Sequence, residues 1–227
     1  MKRIKWVFMK WNIKIKILHT ISLFGMIGAI FYFLHVIFGR IFYEGYNPFT
    51  QAISDLTADN SPSKNIAVIF SRIYGIFTII FSIGFFAYFK DKINIIVKNG
   101  SCIFIIMTTI SSIGYTLFPL SESGYAGTFQ DKMHILVTIL VVVSTIVSII
   151  LFIIGFLKTK MYKYMGIISF CTLIILLTGA VLVNIVPKEY FGLAERINVY
   201  SIIIYTGILS LWMKKYIKNN GVQTKGT

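Results

Sequence analysis

Six apolar stretches, each about 17 to 25 residues long, occupy most of this 227-residue chain. They are residues 17–38, 65–89, 101–118, 133–157, 162–186 and 197–213. A helix of that length rises about 30 Å, the thickness of a bilayer's hydrocarbon core. Backbone amides in lipid must find partners inside their own segment, so each stretch is expected to be a helix. The alternation of apolar and polar residues that a transmembrane barrel needs is missing. Composition agrees: 13% of the residues are charged and 56% hydrophobic, whereas a soluble domain carries roughly a quarter charged residues. Such a chain cannot clothe itself in polar groups. The expectation is an all-α polytopic membrane protein, with six transmembrane helices in one bundle (17–213). A basic interfacial segment (1–16) precedes it and a basic tail (214–227) follows.

The 22 Lys and Arg against 8 Asp and Glu give a net charge of +14. On a soluble protein that excess would point to nucleic acid. Here the lysines flank apolar spans, so the partner they imply is the anionic headgroup at a cytoplasmic membrane face, with no nucleic acid. Seven of the eight acids (Glu44, Asp55, Asp59, Glu122, Asp131, Glu189, Glu195) fall in the first, third and fifth loops, and only Asp91 falls elsewhere. Sixteen of the 22 basic residues fall on the other side. The positive-inside rule then places both termini in the cytoplasm and the acid-bearing loops outside, in a multi-pass protein of the plasma membrane. Residues 1–16 interleave Trp6, Phe8 and Trp11 with lysines, as an interfacial segment does. No small-x-small cleavage site follows the first apolar run, so it is read as a span and not as a removable leader. Cys102 and Cys171 lie inside spans, which argues against a disulfide or a cysteine-ligated metal. No cofactor is expected.

The first outer loop holds the densest polar sequence. Asn47 before Pro48 reads as an N-cap with proline at the first helical position. A short amphipathic helix from Pro48 to Leu56 would then align Phe49, Ala52, Ile53 and Leu56 on one face. Ser54 and Asp55 would lie at its polar edge. Arg72 sits about two turns into the second span, where a lone guanidinium costs roughly 2.5 kcal/mol or more at the bilayer centre. It must snorkel or find a carboxylate, and Asp55 is the favoured partner, with Glu195 and Glu44 also on that side. His134 opens the fourth span and His35 lies near the outer end of the first; His19 is on the other side. Two histidines with Asp55 or Glu195 have the composition of a metal site or a proton-accepting cluster. No pair of them has helical or tight-turn ligand spacing, so no metal is expected. Glu195 and Arg196 are adjacent, cannot face each other on a helix, and are expected to tie the outer hairpins together. Asn47, Ser54, Asp55, Arg72, His134, Glu195 and Arg196 are the candidate ligand-binding residues. Small residues at Ser22, Gly25, Gly28 and Ala29, and at Thr178, Gly179 and Ala180, mark close helix approach.

The segment GYNPFTQAISDLTADNSP, with Arg72 and Gly75 in the second span, LFPL before DKMH, and GLAERI before the sixth span, resembles a family. That family is a prokaryotic set of six-span proteins known as domain of unknown function 998. The resemblance covers about residues 17 to 213. It implies six helices and an outer polar cluster, and no activity. A likeness to zinc-dependent lipid amide hydrolases, suggested by Ser54, Asp55, His134 and His35, fails because a third outer histidine is missing.

No phosphate loop, nucleophile elbow, zinc helix or dinucleotide fingerprint is present. Three function classes stay open. The first is an accessory protein that binds a lipid headgroup or small polar ligand at its outer face. The second is a membrane-embedded hydrolase or transferase acting on lipid-linked substrates at the outer leaflet. The third is a proton-coupled transporter, which the absence of an ionisable chain through the bilayer disfavours.

Overall fold

A computed structural model describes residues 15–223, with side chains through residue 219. Residues 1–14, most of the expected interfacial segment, and residues 224–227 lie outside the described residues. The chain forms α1 (Ile15–Ile41), α2 (Lys64–Phe89), α3 (Ile95–Leu117), α4 (Phe129–Leu157), α5 (Lys163–Ile185) and α6 (Phe191–Gln223). Single 3-10 turns stand at Ser54–Thr57, Lys160–Tyr162 and Lys188–Tyr190. Among the described residues there is no strand, and all six helices are long and apolar enough to cross a membrane. The protein is an all-α, multi-pass membrane bundle.

Each helix runs antiparallel to the one before it and packs on it. The ring closes where α6 returns to α1. The loops therefore alternate between two ends. One end carries Lys90, Lys92, Lys158 and Lys160, and is called the basic end here. The other carries residues 42–63, residues 118–128 and the turn Lys188–Tyr190, and is called the acid-bearing end.

Helix starts are set by side chains as much as by hydropathy. Helix α3 begins ahead of its apolar run because Asn94 caps it: its side-chain oxygen accepts from Ile96 and Val97 at 3.2 and 3.1 Å. The same side chain donates to the carbonyl of Gly155 at 2.7 Å, joining the start of α3 to the end of α4. Helix α4 begins at Phe129 under a capping box of Thr128 and Asp131.

The interior has two halves. The half toward the basic end is filled with rings: Phe81, Phe85, Phe104, Phe152 and Phe156 are each 0–1% exposed. Trp212 stacks on Phe89 at 4.9 Å. Small residues let the backbones approach. A Cβ on Gly25 would stand 2.8 Å from both the Phe81 ring and Ser210, and a Cβ on Gly179 would run into the backbone of Asn198. At the α1–α6 seam the Ser210 hydroxyl accepts from the Met26 amide at 2.9 Å and donates to the Ser22 carbonyl. In a regular helix those two groups would bond each other. The inserted hydroxyl breaks the ladder, and α1 loses helical form at Ser22 and Leu23.

Candidate functional site

Residues 42–63 fold over the acid-bearing end as a cap, and the expected helix from Pro48 to Leu56 is reduced to one turn and a 3-10 turn. The start is as expected: the Asn47 side chain accepts from Phe49 at 2.9 Å, and its carbonyl accepts from Gln51 at 2.9 Å. After that, side chains divert the backbone. The Ala52 amide, which a helix would give to Pro48, goes to Asp55 Oδ2 at 3.1 Å. The Pro48 carbonyl goes to Arg196 Nη1 at 2.7 Å. The Ala52 carbonyl, which a helix would give to Leu56, takes the Tyr46 hydroxyl at 2.7 Å. The Leu56 amide falls back on Ile53 at 3.1 Å, which makes the 3-10 turn. Ala52, Ile53 and Leu56 are buried, while Phe49 is 54% exposed. Ser54, half-buried in that turn, offers its carbonyl to the Thr57 hydroxyl at 3.1 Å.

Arg196 and Glu195 hold this cap from α6. Arg196 Nη1 also donates to the carbonyls of Gln51 at 3.0 Å and Gly192 at 2.7 Å, and Nη2 donates to the Tyr46 hydroxyl. Glu195 Oε2 accepts the Ile53 amide at 2.7 Å. The adjacent pair thus reaches two different parts of one loop. Gly192 is the seat, since any Cβ there would collide with the carbonyls of Pro48 and Gln51. Burial pushes the Tyr46 phenol up to about 12, against the opposing pull of Arg196.

The loop between α3 and α4 holds the cap from the other side. Asp55 Oδ1 accepts the Gly124 amide at 3.0 Å, and the Asp59 amide donates to Leu120 at 2.8 Å. The Asp59 carboxylate accepts from Lys64 at 2.8 Å and Gln130 at 2.7 Å. Those bonds, Lys64 first, hold its carboxyl below the ordinary value. Asp131 is fully buried and gathers the Ser121 amide, the Ser121 hydroxyl and the Thr128 amide. His134 Nδ1 donates to the Phe118 carbonyl at 2.8 Å.

Arg72 stands apart from this network. It is exposed on the face of α2 that also carries Ile69, Ile76, Ile80 and Ile83, the stripe turned away from the ring. Asp55 lies within the cap with both oxygens engaged, and no Arg72–Asp55 pair forms. A long side chain on the outer face of a span reaches for the headgroups. The other candidates, Asn47, Ser54, Asp55, His134, Glu195 and Arg196, all belong to the cap or its supports.

Beneath the cap the interior is polar and aromatic. Tyr32 of α1 lies edge-on to Tyr74 of α2 at 5.0 Å and to His35 at 5.5 Å, and 6.5 Å from Tyr200 of α6. Tyr115 of α3 packs on His134 of α4 at 4.9 Å. Glu195 is within electrostatic reach of Tyr32 and Tyr200, and Tyr115 of α3 is within reach of both Glu195 and Tyr32, whose helices are not its neighbours. These groups therefore face one interior space. Tyr32, Tyr74, Tyr115, Tyr200 and Glu195 are all half-buried, whereas the phenylalanine rings of the other half are fully buried. His35 is 4% exposed, and neither ring nitrogen has a hydrogen-bond partner. Tyr74 and Tyr200 lie about 15 Å and 14 Å along their helices from the acid-bearing ends. Sequence reading missed these four tyrosines. The available signal was that tyrosine belongs at the interface, and Tyr32 and Tyr74 fall well inside their apolar runs. Among the described residues no three His, Cys, Asp or Glu side chains gather as a metal site.

Comparison with curated proteins and with solved structures finds no match to this chain. The family described as a protein of unknown function, DUF998, matches residues 26–212, a span that takes in the cap, its clamp on α6 and the tyrosine-lined interior. With its six-helix bundle and that match over most of its length, the chain belongs to the DUF998 family.

Proposed function

We propose that this protein is an accessory, non-enzymatic membrane protein that binds a lipid headgroup or small polar ligand in the acid-bearing half of its bundle. The proposal places that half at the outer face of a prokaryotic plasma membrane, with both termini cytoplasmic. The charge distribution supports this orientation, since basic residues concentrate at the other end.

The observation that carries the reading is His35. A buried ring with two unpartnered nitrogens is costly, and buried polar groups nearly always have partners. Its ring packs edge-on against Tyr32, in a cluster with Tyr74 and Tyr200 that closes over both nitrogens. A polar ligand there would complete its bonding. Binding is favoured over catalysis because the groups that would act as acid, base or anion clamp are engaged elsewhere. Asp55 holds two backbone amides, His134 a carbonyl and Arg196 three carbonyls.

Native mass spectrometry of the full-length protein, extracted from its own membranes, tests this. The expected result is a bound molecule on the wild type that is at least tenfold depleted on His35→Leu, with both proteins equally helical. Equal retention by the two proteins, or no bound molecule on either, overturns it.

A further inference from the structure

Most cations at the acid-bearing end stand where headgroups meet them. Arg40 is in the last turn of α1, Lys64 opens α2, Lys132 is in the first turn of α4, and Lys188 is in the turn before α6. Arg196 lies deeper, but the cap takes up its donors. Arg72 differs from all of these. It stands eight residues past the start of α2, about 12 Å along the axis. It is exposed on a stripe with Ile69 on one side of it and Ile76 and Ile80 on the other, so apolar surface continues above and below. Among the described residues its guanidinium forms no hydrogen bond and no ion pair. Neither α2 nor α3 contains an Asp or Glu that could pair with it. A lipid-facing charge at that depth is costly and marks a functional site.

The geometry also sets where the side chain reaches. Side chains on a helix lean toward its N-terminus, and α2 has its N-terminus at the acid-bearing end. Arg72 therefore leans toward the headgroups of that leaflet. Across the seam lies α3. A Cβ on Gly75 would collide with the Ser112 hydroxyl, and Ser82 bonds Thr108 at 3.0 Å. The antiparallel register of those two contacts brings Thr116 level with Arg72. Both are exposed, so they border one lipid-facing groove. Ser112, half-buried at the seam, has a hydroxyl with no hydrogen bond among the described residues. The groove thus offers donors and no carboxylate.

We propose that Arg72 binds the phosphate of one anionic phospholipid, drawn down into the groove between α2 and α3 at the acid-bearing end. The two free oxygens of a phosphodiester match the guanidinium fork. A headgroup that carries its own ammonium leaves the Arg72 charge uncompensated, whereas an anionic headgroup neutralises it. The groove is continuous with the lipid-facing stripe of α2, so a lipid reaches it without displacing protein. This site is on the outside of the bundle and does not involve His35, so it stands or falls separately from the interior reading above.

The test places a fluorescent NBD reporter beside Arg72, on Thr116→Cys in a full chain that also carries Cys102→Ser and Cys171→Ser. The protein is reconstituted in phosphatidylcholine nanodiscs doped with a spin-labelled lipid, phosphatidylglycerol in one series and phosphatidylcholine in the other. Quenching by the nitroxide reads which headgroup resides in the groove. Phosphatidylglycerol is expected to be favoured roughly tenfold over phosphatidylcholine. Arg72→Ala is expected to bring the two lipids level, with circular dichroism showing an unchanged fold. Arg40→Ala removes a charge at headgroup level and is expected to leave the preference in place, which separates a site from general surface charge. No preference beside Thr116, a preference that survives Arg72→Ala, or an equal fall in Arg40→Ala overturns the proposal. A change of oligomeric state in Arg72→Ala, with no lipid preference in the parent, gives the groove to a second copy and overturns it too.

Discussion

Replacing Arg196 by lysine keeps the charge and removes the fork. One ammonium cannot reach the carbonyls of Pro48, Gln51 and Gly192 together with the Tyr46 hydroxyl. Arg196→Lys is expected to lower stability by about 2 kcal/mol and Arg196→Met by about 3 kcal/mol, because buried acceptors are left unsatisfied. Thermal unfolding in detergent measures the loss, and limited proteolysis within residues 42–63 shows whether the cap comes free. Arg72→Ala is the contrast, expected within about 0.5 kcal/mol of wild type, since the side chain is exposed and forms no ion pair among the described residues. The two arginines looked alike in sequence, and Arg72 the more telling. Depth along the span was legible there, but the face it presents depends on how α2 packs, which hydropathy does not report. Asp59 gives a pH test. Its carboxyl is held low by Lys64 and Gln130, so its contribution is full at neutral pH and is lost as pH falls through its own lowered range. Acid is expected to expose the loop between α3 and α4 to amide exchange, and Asp59→Asn is expected to remove that part of the pH dependence.

At the scale of the element, α1 is the helix most open to test. Ser210→Ala leaves the Met26 amide and the Ser22 carbonyl without the hydroxyl that bridges them. The expected loss is about 1 kcal/mol. A Gly25→Ala change pushes a methyl toward the Phe81 ring and Ser210 and is expected to cost about 1–3 kcal/mol. Unfolding of each single variant and of the pair measures both, and the double variant should fall short of additivity because the two sites touch. Six apolar runs were enough to read six helices and the short loops that order them. The ends were less legible, because Asn94 and Thr128 start α3 and α4 before the apolar run begins. That shift also hid the site. Tyr200 lies three residues into its apolar run and reads as interfacial. Helix α6 starts at Phe191, however, so the ring lies more than two turns inside. The cap helix was misread for a related reason. Its apolar stripe is real, but Arg196, Tyr46 and Asp55 compete for the carbonyls and amides that would have built it.

For the whole molecule, the proposed orientation has a direct check. With Cys102 and Cys171 replaced by serine, a cysteine at Glu122 is expected to react with an impermeant maleimide on intact cells. A cysteine at Lys160 should react only after permeabilisation, and the reverse pattern inverts the topology. The charge count that suggests this orientation is a property of loops, and it was fully legible in the sequence. What the interior contains was not, because it depends on which side chains from five helices turn inward together. The wall of Phe81, Phe85, Phe104, Phe152 and Phe156 has a thermodynamic corollary. A ligand bound as proposed in the acid-bearing half would be walled off from the basic end, and its occupancy would follow the chemical potential of one compartment. The solute level beyond that wall does not enter the equilibrium, whereas a charged ligand held within the spans would still feel the part of the membrane voltage that drops above it. The binder proposed above would therefore respond to the concentration on one side of the bilayer, whatever the solute gradient across it.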